Sequence, residues 1–198
     1  MAAAVGFDLT QGRFSRSSVV IAGTAADMAR IWGPMIGEAG DAALAAKVDQ
    51  LYEHHARESM ALFDNAGEVL QRLVAEGFKV GLATNDAEAN GHSHLKAAAI
   101  DHHFSFVAGY DSGHGAKPLP GMVLAFAREC GVSPQSIVMV GDSVHDLRAA
   151  RAGGAVAVGI ATGIASAQDL APHADHVVHS LDELLELPMI AVPPVPAY

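Results

Sequence analysis

The sequence has few of the features that mark secreted, membrane-spanning or nucleic-acid-binding proteins. It contains a single cysteine, Cys130, so no disulfide can form within the chain, and a reducing compartment is indicated. Its 12 Lys and Arg residues are outnumbered by 22 Asp and Glu residues, which gives a formal net charge of −10. Because nucleic acids and anionic membranes bind basic patches, this balance argues against both as partners. There is also no long apolar run, and the first residues do not have the pattern expected of a signal peptide.

Charged residues are scarce as well, at 17% of 198 residues, whereas hydrophobic residues make up 51%. This composition excludes intrinsic disorder and predicts a sizeable core, in one domain or in one domain with a small insert. Much of the apolar content is alanine, which favours helices. These observations together predict an acidic, globular protein of the cytoplasm.

The first third of the sequence is predicted to be helical. Thr24 and Asp27 have the spacing of a capping box, and apolar residues follow at helical intervals until Gly33-Pro34, where we expect the helix to stop. Asp41 can cap a second helix. A third helix fits residues 65–76.

From Phe78 onward, short apolar runs alternate with helical stretches. The apolar runs lie at 79–83, 104–108, 136–140, 155–160 and 176–178, and the intervening helices fit 87–99, 119–131, 144–152, 166–171 and 181–187. Continuous apolar strands that alternate with helices predict an α/β fold with a doubly wound parallel sheet covered on both faces. Residues 188–198 hold four of the nine prolines and are predicted to form an extended tail.

Ligands bind beyond the carboxyl ends of the strands in such sheets, so the residues that follow each strand are candidate site residues. Thr84 and Asn85 follow the first strand, where a hydroxyl and an amide can hold a phosphate, although these residue types are also ordinary helix caps. Lys117 follows the second strand in a glycine- and proline-rich loop and is either a phosphate-binding cation or a solvated lysine. His114 of the same loop is a candidate substrate contact.

Two carboxylates, Asp142 and Asp146, follow the strand predicted at 136–140. Oxygen ligands at the mouth of such a loop suit Mg²⁺, which binds few carboxylates together with waters and a phosphate. The alternative is structural, with Asp142 in a turn and Asp146 stabilised by the dipole of the following helix. His145 lies between them and is expected to face solvent.

The order of these residues along the chain resembles that of the haloacid dehalogenase-like (HAD) hydrolase superfamily. VGLATND looks like the second motif of that family, GAKPLPGMVLAFA like the third and IVMVGDSVHDLRAARAGG like the fourth. The resemblance covers roughly residues 64–187, and the phosphoglycolate-phosphatase-like branch is the nearest. It implies a Rossmannoid HAD core at 63–187, a helical cap at 1–62 and Mg²⁺-dependent hydrolysis of a small phosphorylated metabolite through an aspartyl-phosphate.

The resemblance also implies a role for each matched residue. Thr84 would hydrogen-bond the transferring phosphoryl group, and Lys117 would neutralise the charge on its oxygens. Asp142 would ligate Mg²⁺, and Asp146 would ligate the ion or orient its waters.

The first motif of that family, Asp-x-Asp-Gly-Thr after an apolar strand, has no good match. Its first Asp attacks phosphorus and its second moves protons. Asp8 in GFDLTQG is the candidate nucleophile, but Thr10 stands where the second Asp belongs, and the segment has the pattern of a turn. We therefore expect the chain to begin within the cap, with the nucleophile strand upstream, so that the strands at 79–83 and 136–140 each lack a neighbour. The alternatives are a divergent site at Asp8 and a non-catalytic phosphate-binding or interaction protein on a HAD fold.

Overall fold

A computed structural model describes residues 5–15, 18–59, 64–163 and 165–191. A short hairpin and three helices come first: β1 (Phe7–Asp8), β2 (Arg13–Phe14), α1 (Val19–Ala22), α2 (Ala25–Ile36) and α3 (Ala42–Ser59). Helices and strands then alternate: α4 (Ala66–Ala75), β3 (Val80–Ala83), α5 (Glu88–Ala97), β4 (Phe104–Ala108), α6 (Gly121–Cys130), β5 (Val138–Gly141), α7 (Val144–Gly153), β6 (Val156–Ile160), α8 (Ala167–Leu170), β7 (His176–Val178), α9 (Leu181–Leu185) and α10 (Pro188–Ala191). None of the described helices is both long enough and apolar enough to cross a membrane.

The helical lobe, residues 18–59, has the caps that the sequence predicts. The Thr24 hydroxyl accepts a hydrogen bond from the Asp27 amide, and the Asp27 carboxylate accepts one from the Thr24 amide, which completes the capping box of α2. The Asp41 carboxylate accepts hydrogen bonds from the first amides of α3. Apolar side chains of both helices form one buried cluster, consisting of Ala25, Met28, Ala29, Leu44, Ala45 and Val48.

The predicted stop at Gly33-Pro34 is wrong, because α2 continues through Pro34 to Ile36. Proline has a φ angle compatible with a helix, and near the helix end its missing N–H removes only one backbone hydrogen bond. Gly37 ends the helix instead, with a left-handed φ of 76°. Gly33 has a packing role, since a Cβ at this position would lie 2.6 Å from the backbone nitrogen of Gly40.

The five predicted strands are all present, and every pair among them is parallel. They form two separate ladders, one of β3 with β4 and one in the order β5-β6-β7. Alternate residues of β6 face opposite sides: Ala157 packs in a cluster with α6 and α7, whereas Val158 and Ile160 pack in a cluster with α4 and α9. Helices therefore cover both faces, as expected for a doubly wound sheet.

The two ladders face each other across an apolar cavity of about 390 Å³, called here the inter-sheet cavity. Its walls include β3 on one side and β5 on the other, with α4, α6 and α9 above and below. Among the described residues no strand pairs with the facing edges of β3 and β5. Gly81 and Val140 in these strands are exposed, although interior strands of a doubly wound sheet are normally buried. Within the described ranges, each of the two strands thus has one unpaired edge.

Part of the predicted C-terminal tail is helical. Residues 188–191 form α10, and Ile190 is buried in the cluster with α4 and α9. The apolar residues Met189 and Ile190 supply the contacts that anchor this turn against the core. The rest of the predicted tail, 192–198, lies outside the described residues.

The two ladders predict unequal hydrogen exchange. Strand β6 is hydrogen-bonded on both sides, whereas β3 and β5 each have one edge at the inter-sheet cavity. We expect the backbone amides of β6 to exchange most slowly and those of β3 and β5 measurably faster, because unpaired edges open locally. Amide exchange followed by NMR measures this. Equal protection of β3 and β6 would contradict an open edge.

Candidate active site

The carboxyl ends of β3, β4 and β5 and one side of the helical lobe enclose a pocket of about 260 Å³. Five of the residues predicted from the sequence line this pocket, namely Thr84, Asn85, Lys117, Asp142 and Asp146. The N-termini of α5 and α7 begin at the same edge of the sheet, where the backbone N–H groups of a helix favour anions. The strand ends therefore bring together residues that are up to 62 positions apart in the sequence.

Lys117 and Asp146 form the closest ion pair of the pocket. The Lys117 Nζ donates to Asp146 Oδ1 at 2.6 Å and to the carbonyl oxygen of Ala83 at 2.7 Å. The two side chains are only 13% and 6% exposed, so the pair is shielded from water. The two acceptors fix the direction of this buried ammonium group, which lies where an anion in the pocket could contact it.

The second oxygen of Asp146 belongs to the start of α7. Asp146 Oδ2 accepts hydrogen bonds from the Ser143 amide at 3.1 Å and the Ser143 hydroxyl at 2.7 Å, and Ser143 caps the helix in return. Gly141 makes room for this arrangement, because a Cβ there would lie 2.2 Å from the Cβ of Asp146. Both oxygens of Asp146 are thus engaged, one by a cation and one by a helix cap.

Asn85 acts as a clamp on the backbone around it. Its Nδ2 donates to the carbonyl oxygens of Lys117 (3.0 Å) and Ala22 (3.1 Å), and its Oδ1 accepts a hydrogen bond from the Lys117 amide at 2.8 Å. Asn85 lines the pocket, as the prediction of a phosphate-binding residue requires, but its described hydrogen bonds hold protein groups. The side chain therefore positions Lys117 and connects it to the helical lobe.

Thr84, which follows β3, and Asp142, which follows β5, both line the pocket. The Thr84 Oγ1 accepts a hydrogen bond from the Asp86 amide at 3.0 Å, which leaves its O–H able to donate. The Asp142 carbonyl accepts from the Ala165 amide, and a Cβ at Gly163 would lie 1.8 Å from Asp142 Oδ2. Glycine at 163 lets this loop pass close to the carboxylate.

The donor set agrees with Mg²⁺ bound mainly by non-protein oxygens. Among the described residues no group of three His, Cys, Asp or Glu side chains is placed to hold a metal ion. Asp142 supplies one carboxylate, whereas the oxygens of Asp146 already contact Lys117 and Ser143. Mg²⁺ commonly uses one or two carboxylates and takes its remaining ligands from water and phosphate. Asp142 is a carboxylate of the pocket lining that can serve as such a ligand.

Two predicted site residues lie elsewhere. Asp8 ends β1, and its Oδ1 accepts hydrogen bonds from the Thr10 and Gln11 amides, so it forms a turn in the hairpin and does not line the pocket. His114 packs its ring against Phe106 at a centroid distance of 6.5 Å and also lies outside the pocket lining. Local turn chemistry at Asp8 and aromatic packing at His114 account for these positions.

Several pocket residues were not predicted from the sequence. His145, which was expected to face solvent, lines the pocket, and its buried Nδ1 has no hydrogen-bond partner among the described residues. Asp49 and Tyr52 of α3 form part of the opposite wall. The Tyr110 hydroxyl donates to Asp49 Oδ2 at 2.7 Å, which connects the lobe to the loop after β4. These contacts join distant segments, and only the packed structure reveals them.

Burial changes the acidity of groups in the opposite wall. It raises the pKa of the Asp49 carboxyl, an effect opposed by the hydrogen bond from Tyr110 and increased by the charges of Asp86 and Asp111. Burial likewise raises the pKa of the Tyr52 phenol, with the charge of Asp86 as a lesser cause. The negative charge of Asp86 thus helps to raise the pKa of two groups on α3.

With this geometry established, comparison with known proteins identifies the family. The family described as "Haloacid dehalogenase-like hydrolase" matches residues 20–160. The chain belongs to this family, and the match agrees with the resemblance seen in its motifs.

Several proteins with similar sequences carry the name phosphoglycolate phosphatase. The proteins of that name from Shigella boydii and Escherichia coli K12 are each 35% identical to this chain over 147 residues. These 147 residues are 73% of this chain and 57% of each relative, so the match spans little more than half of their length.

Solved structures support the fold. A predicted phosphoglycolate phosphatase from Haemophilus somnus has a TM-score of 0.71 and 22% identity, covering 84% of this chain and 78% of its own. A β-phosphoglucomutase from Clostridium difficile has a TM-score of 0.68 and 19% identity, covering 81% of this chain and 73% of its own. At these identities the likeness concerns the fold alone.

The buried ion pair predicts a large loss of stability when its cation is removed. Lys117→Met leaves the Asp146 carboxylate buried without its cation and should lower the free energy of unfolding by about 3 kcal/mol. Lys47→Met is the matched control, because Lys47 pairs with Glu38 while both side chains are about half exposed, and it should cost less than about 0.5 kcal/mol. Urea unfolding measures both variants, and equal losses would contradict the shielding of the Lys117–Asp146 pair.

The contact between Gly141 and Asp146 predicts opposite effects for two glycine substitutions. Gly141→Ala should destabilise the protein by roughly 1–3 kcal/mol, because the new methyl group collides with the buried Asp146 side chain. Gly67→Ala, in helix α4, places its methyl group in open space and should stabilise the protein by up to about 1 kcal/mol. Thermal unfolding of the two variants tests the contrast. A neutral Gly141→Ala would show that Asp146 can move aside freely.

Proposed function

We propose that the pocket binds the phosphoryl group of a small phosphorylated metabolite and that the chain functions as a Mg²⁺-dependent phosphomonoesterase of the phosphoglycolate-phosphatase type. The convergence of Thr84, Lys117 and Asp142 in one small pocket carries this proposal. A hydroxyl donor, a fixed cation and an oxygen ligand for Mg²⁺ complement a phosphate dianion. Membership of the HAD-like hydrolase family supports the same reading.

Each residue has a distinct part in binding the phosphoryl group. Lys117 brings positive charge that needs no rearrangement, because Asp146 and the Ala83 carbonyl already hold its ammonium group. The Thr84 hydroxyl donates to a phosphoryl oxygen, and the helical lobe limits access of water to the pocket. Mg²⁺, when bound at Asp142, would supply Lewis-acid stabilisation of charge on the phosphoryl oxygens.

A non-catalytic, phosphate-binding role is the second candidate, and the position of Asp8 favours it. Hydrolysis through an aspartyl-phosphate needs a carboxylate that attacks phosphorus. Asp8, the candidate for this step, forms a turn away from the pocket. The described residues therefore offer a phosphate site without an assigned nucleophile, and binding without turnover is the behaviour expected of that second role.

Phosphate binding and turnover can be measured separately. We expect inorganic phosphate to bind in the presence of Mg²⁺, as followed by calorimetry. Thr84→Val should weaken that binding about tenfold, because one charge-assisted hydrogen bond is worth roughly 1.5 kcal/mol or more. Lys117→Met should weaken it at least as much, and Lys47→Met, which alters an exposed lysine of the lobe, should leave it unchanged.

Release of phosphate from 2-hydroxyethyl phosphate and glycerol 3-phosphate then decides between the two roles. Turnover that depends on Mg²⁺ and on Thr84 supports the phosphatase, whereas binding without turnover supports the non-catalytic role. Failure to bind phosphate, or binding that neither Thr84→Val nor Lys117→Met alters, would exclude this pocket as the phosphate site.

A further inference from the structure

The pocket has two chemically different sides. Thr84, Lys117 and Asp142 lie at the strand ends, on the side that the proposed function assigns to the phosphoryl group. The opposite side comes mainly from the helical lobe, with Met28, Asp49 and Tyr52 among its residues. If phosphate binds at the strand ends, the rest of the ester must lie against this second side.

Two carboxylates bring negative charge to the second side, Asp49 on α3 itself and Asp86 from the loop after β3, whose charge acts on Asp49. Asp49 is a half-buried carboxylate whose Oδ2 accepts the hydrogen bond of Tyr110, and Asp86 also lines the pocket. The Asp86 Oδ1 accepts hydrogen bonds from the Ala87 amide and from Asn90, neither of which is a cation. The described partners of both carboxylates are therefore neutral groups, and their charges remain uncompensated by an ion pair.

The raised pKa of Asp49 agrees with this charge distribution. Burial is the main cause, and the charges of Asp86 and Asp111 raise the pKa further. A carboxylate whose pKa is raised by neighbouring carboxylates lies in a negative potential, which attracts a cation and repels another anion.

Positive charge lies at the phosphate end of the pocket. Lys117 is the only lysine or arginine among the described lining residues, and its ammonium group already contacts Asp146. Four carboxylates share the lining with it, those of Asp49, Asp86, Asp142 and Asp146. A second anionic group on the substrate would have to lie near Asp49 and Asp86, while Met28 offers apolar contact for a short methylene stem.

We propose that Asp49 and Asp86 determine the specificity of the pocket by favouring small phosphomonoesters that carry an ammonium group over those that carry a carboxylate. This inference rests on the proposed function and names the class of ester that the pocket accepts. Esters with a neutral hydroxyl group should bind with an affinity between those of the ammonium and carboxylate esters. The preference differs from that suggested by the name phosphoglycolate phosphatase, which some relatives carry.

Three esters of nearly equal size test the preference. Phosphoethanolamine carries an ammonium group at neutral pH, 2-hydroxyethyl phosphate is neutral at the same position, and phosphoglycolate carries a carboxylate. Calorimetry at pH 7.5 with Mg²⁺ and low salt gives the Kd of each, whether or not the ester is hydrolysed. We expect phosphoethanolamine to bind about tenfold more tightly than phosphoglycolate, which corresponds to about 1.4 kcal/mol.

Asp49→Asn identifies the residue responsible. The amide keeps an oxygen that accepts the Tyr110 hydrogen bond but removes the charge, so the ratio of the two Kd values should fall about fivefold. Asp41→Asn is the matched control, because it makes the same change at the cap of the same helix, outside the pocket lining. Asparagine also caps helices as well as aspartate does. Asp41→Asn should leave the ratio unchanged.

The outcomes separate this inference from the proposed function. If inorganic phosphate binds and phosphoglycolate binds as tightly as phosphoethanolamine, the charge preference is wrong and the phosphate site stands. A ratio that Asp41→Asn changes as much as Asp49→Asn would also overturn the preference, since net charge alone would explain it. If neither phosphate nor any ester binds, the proposed function fails, and the specificity inferred from it fails too.

Discussion

The buried ion pair of Lys117 and Asp146 connects the parts of the site. Lys117 reaches from the loop after β4 to the Ala83 carbonyl at the end of β3, and Asp146 holds it from the start of α7, which follows β5. The pair therefore bridges the two ladders at their carboxyl ends. No backbone pairing among the described residues joins β3 to β5. This polar bridge and the flanking helices determine how far apart the strand ends lie.

The bridge also explains why small residues surround it. Gly141 lets β5 pass within contact distance of Asp146, and Gly163 lets the loop after β6 approach Asp142. A side chain at either glycine would occupy the space of a carboxylate. The polar groups of the site are thus held by close backbone approach as much as by hydrogen bonds, which limits how far each charge can move when a ligand binds.

Much of the core could be predicted from the sequence, because the signals there are local. Alternating apolar runs predicted all five parallel strands, and side chains at the strand ends predicted Thr84, Lys117, Asp142 and Asp146 as pocket residues. The structure places those four together. Whether they bind phosphate and Mg²⁺ as the resemblance implies stays a prediction.

What could not be predicted depends on packing between distant segments. Asn85 has the residue type of a phosphate ligand, yet its amide meets two backbone carbonyls that only the folded loop brings near. Asp49 lies on the amphipathic helix α3, and the sequence around it does not indicate that it lines the pocket. Pro34 misled the prediction because a proline in the last turn of a helix costs one hydrogen bond and does not have to break the helix.

Asn85 holds the backbone of Lys117 through hydrogen bonds that are separate from its contact with the helical lobe. Of the three hydrogen bonds that Asn85 makes within the described part of the chain, one goes to Ala22 in the lobe and two hold the backbone of Lys117. Displacement of the lobe breaks the first bond, at a net cost of about 1 kcal/mol, and leaves the other two intact. The placement of the Lys117 backbone therefore does not depend on the hydrogen bond to the lobe.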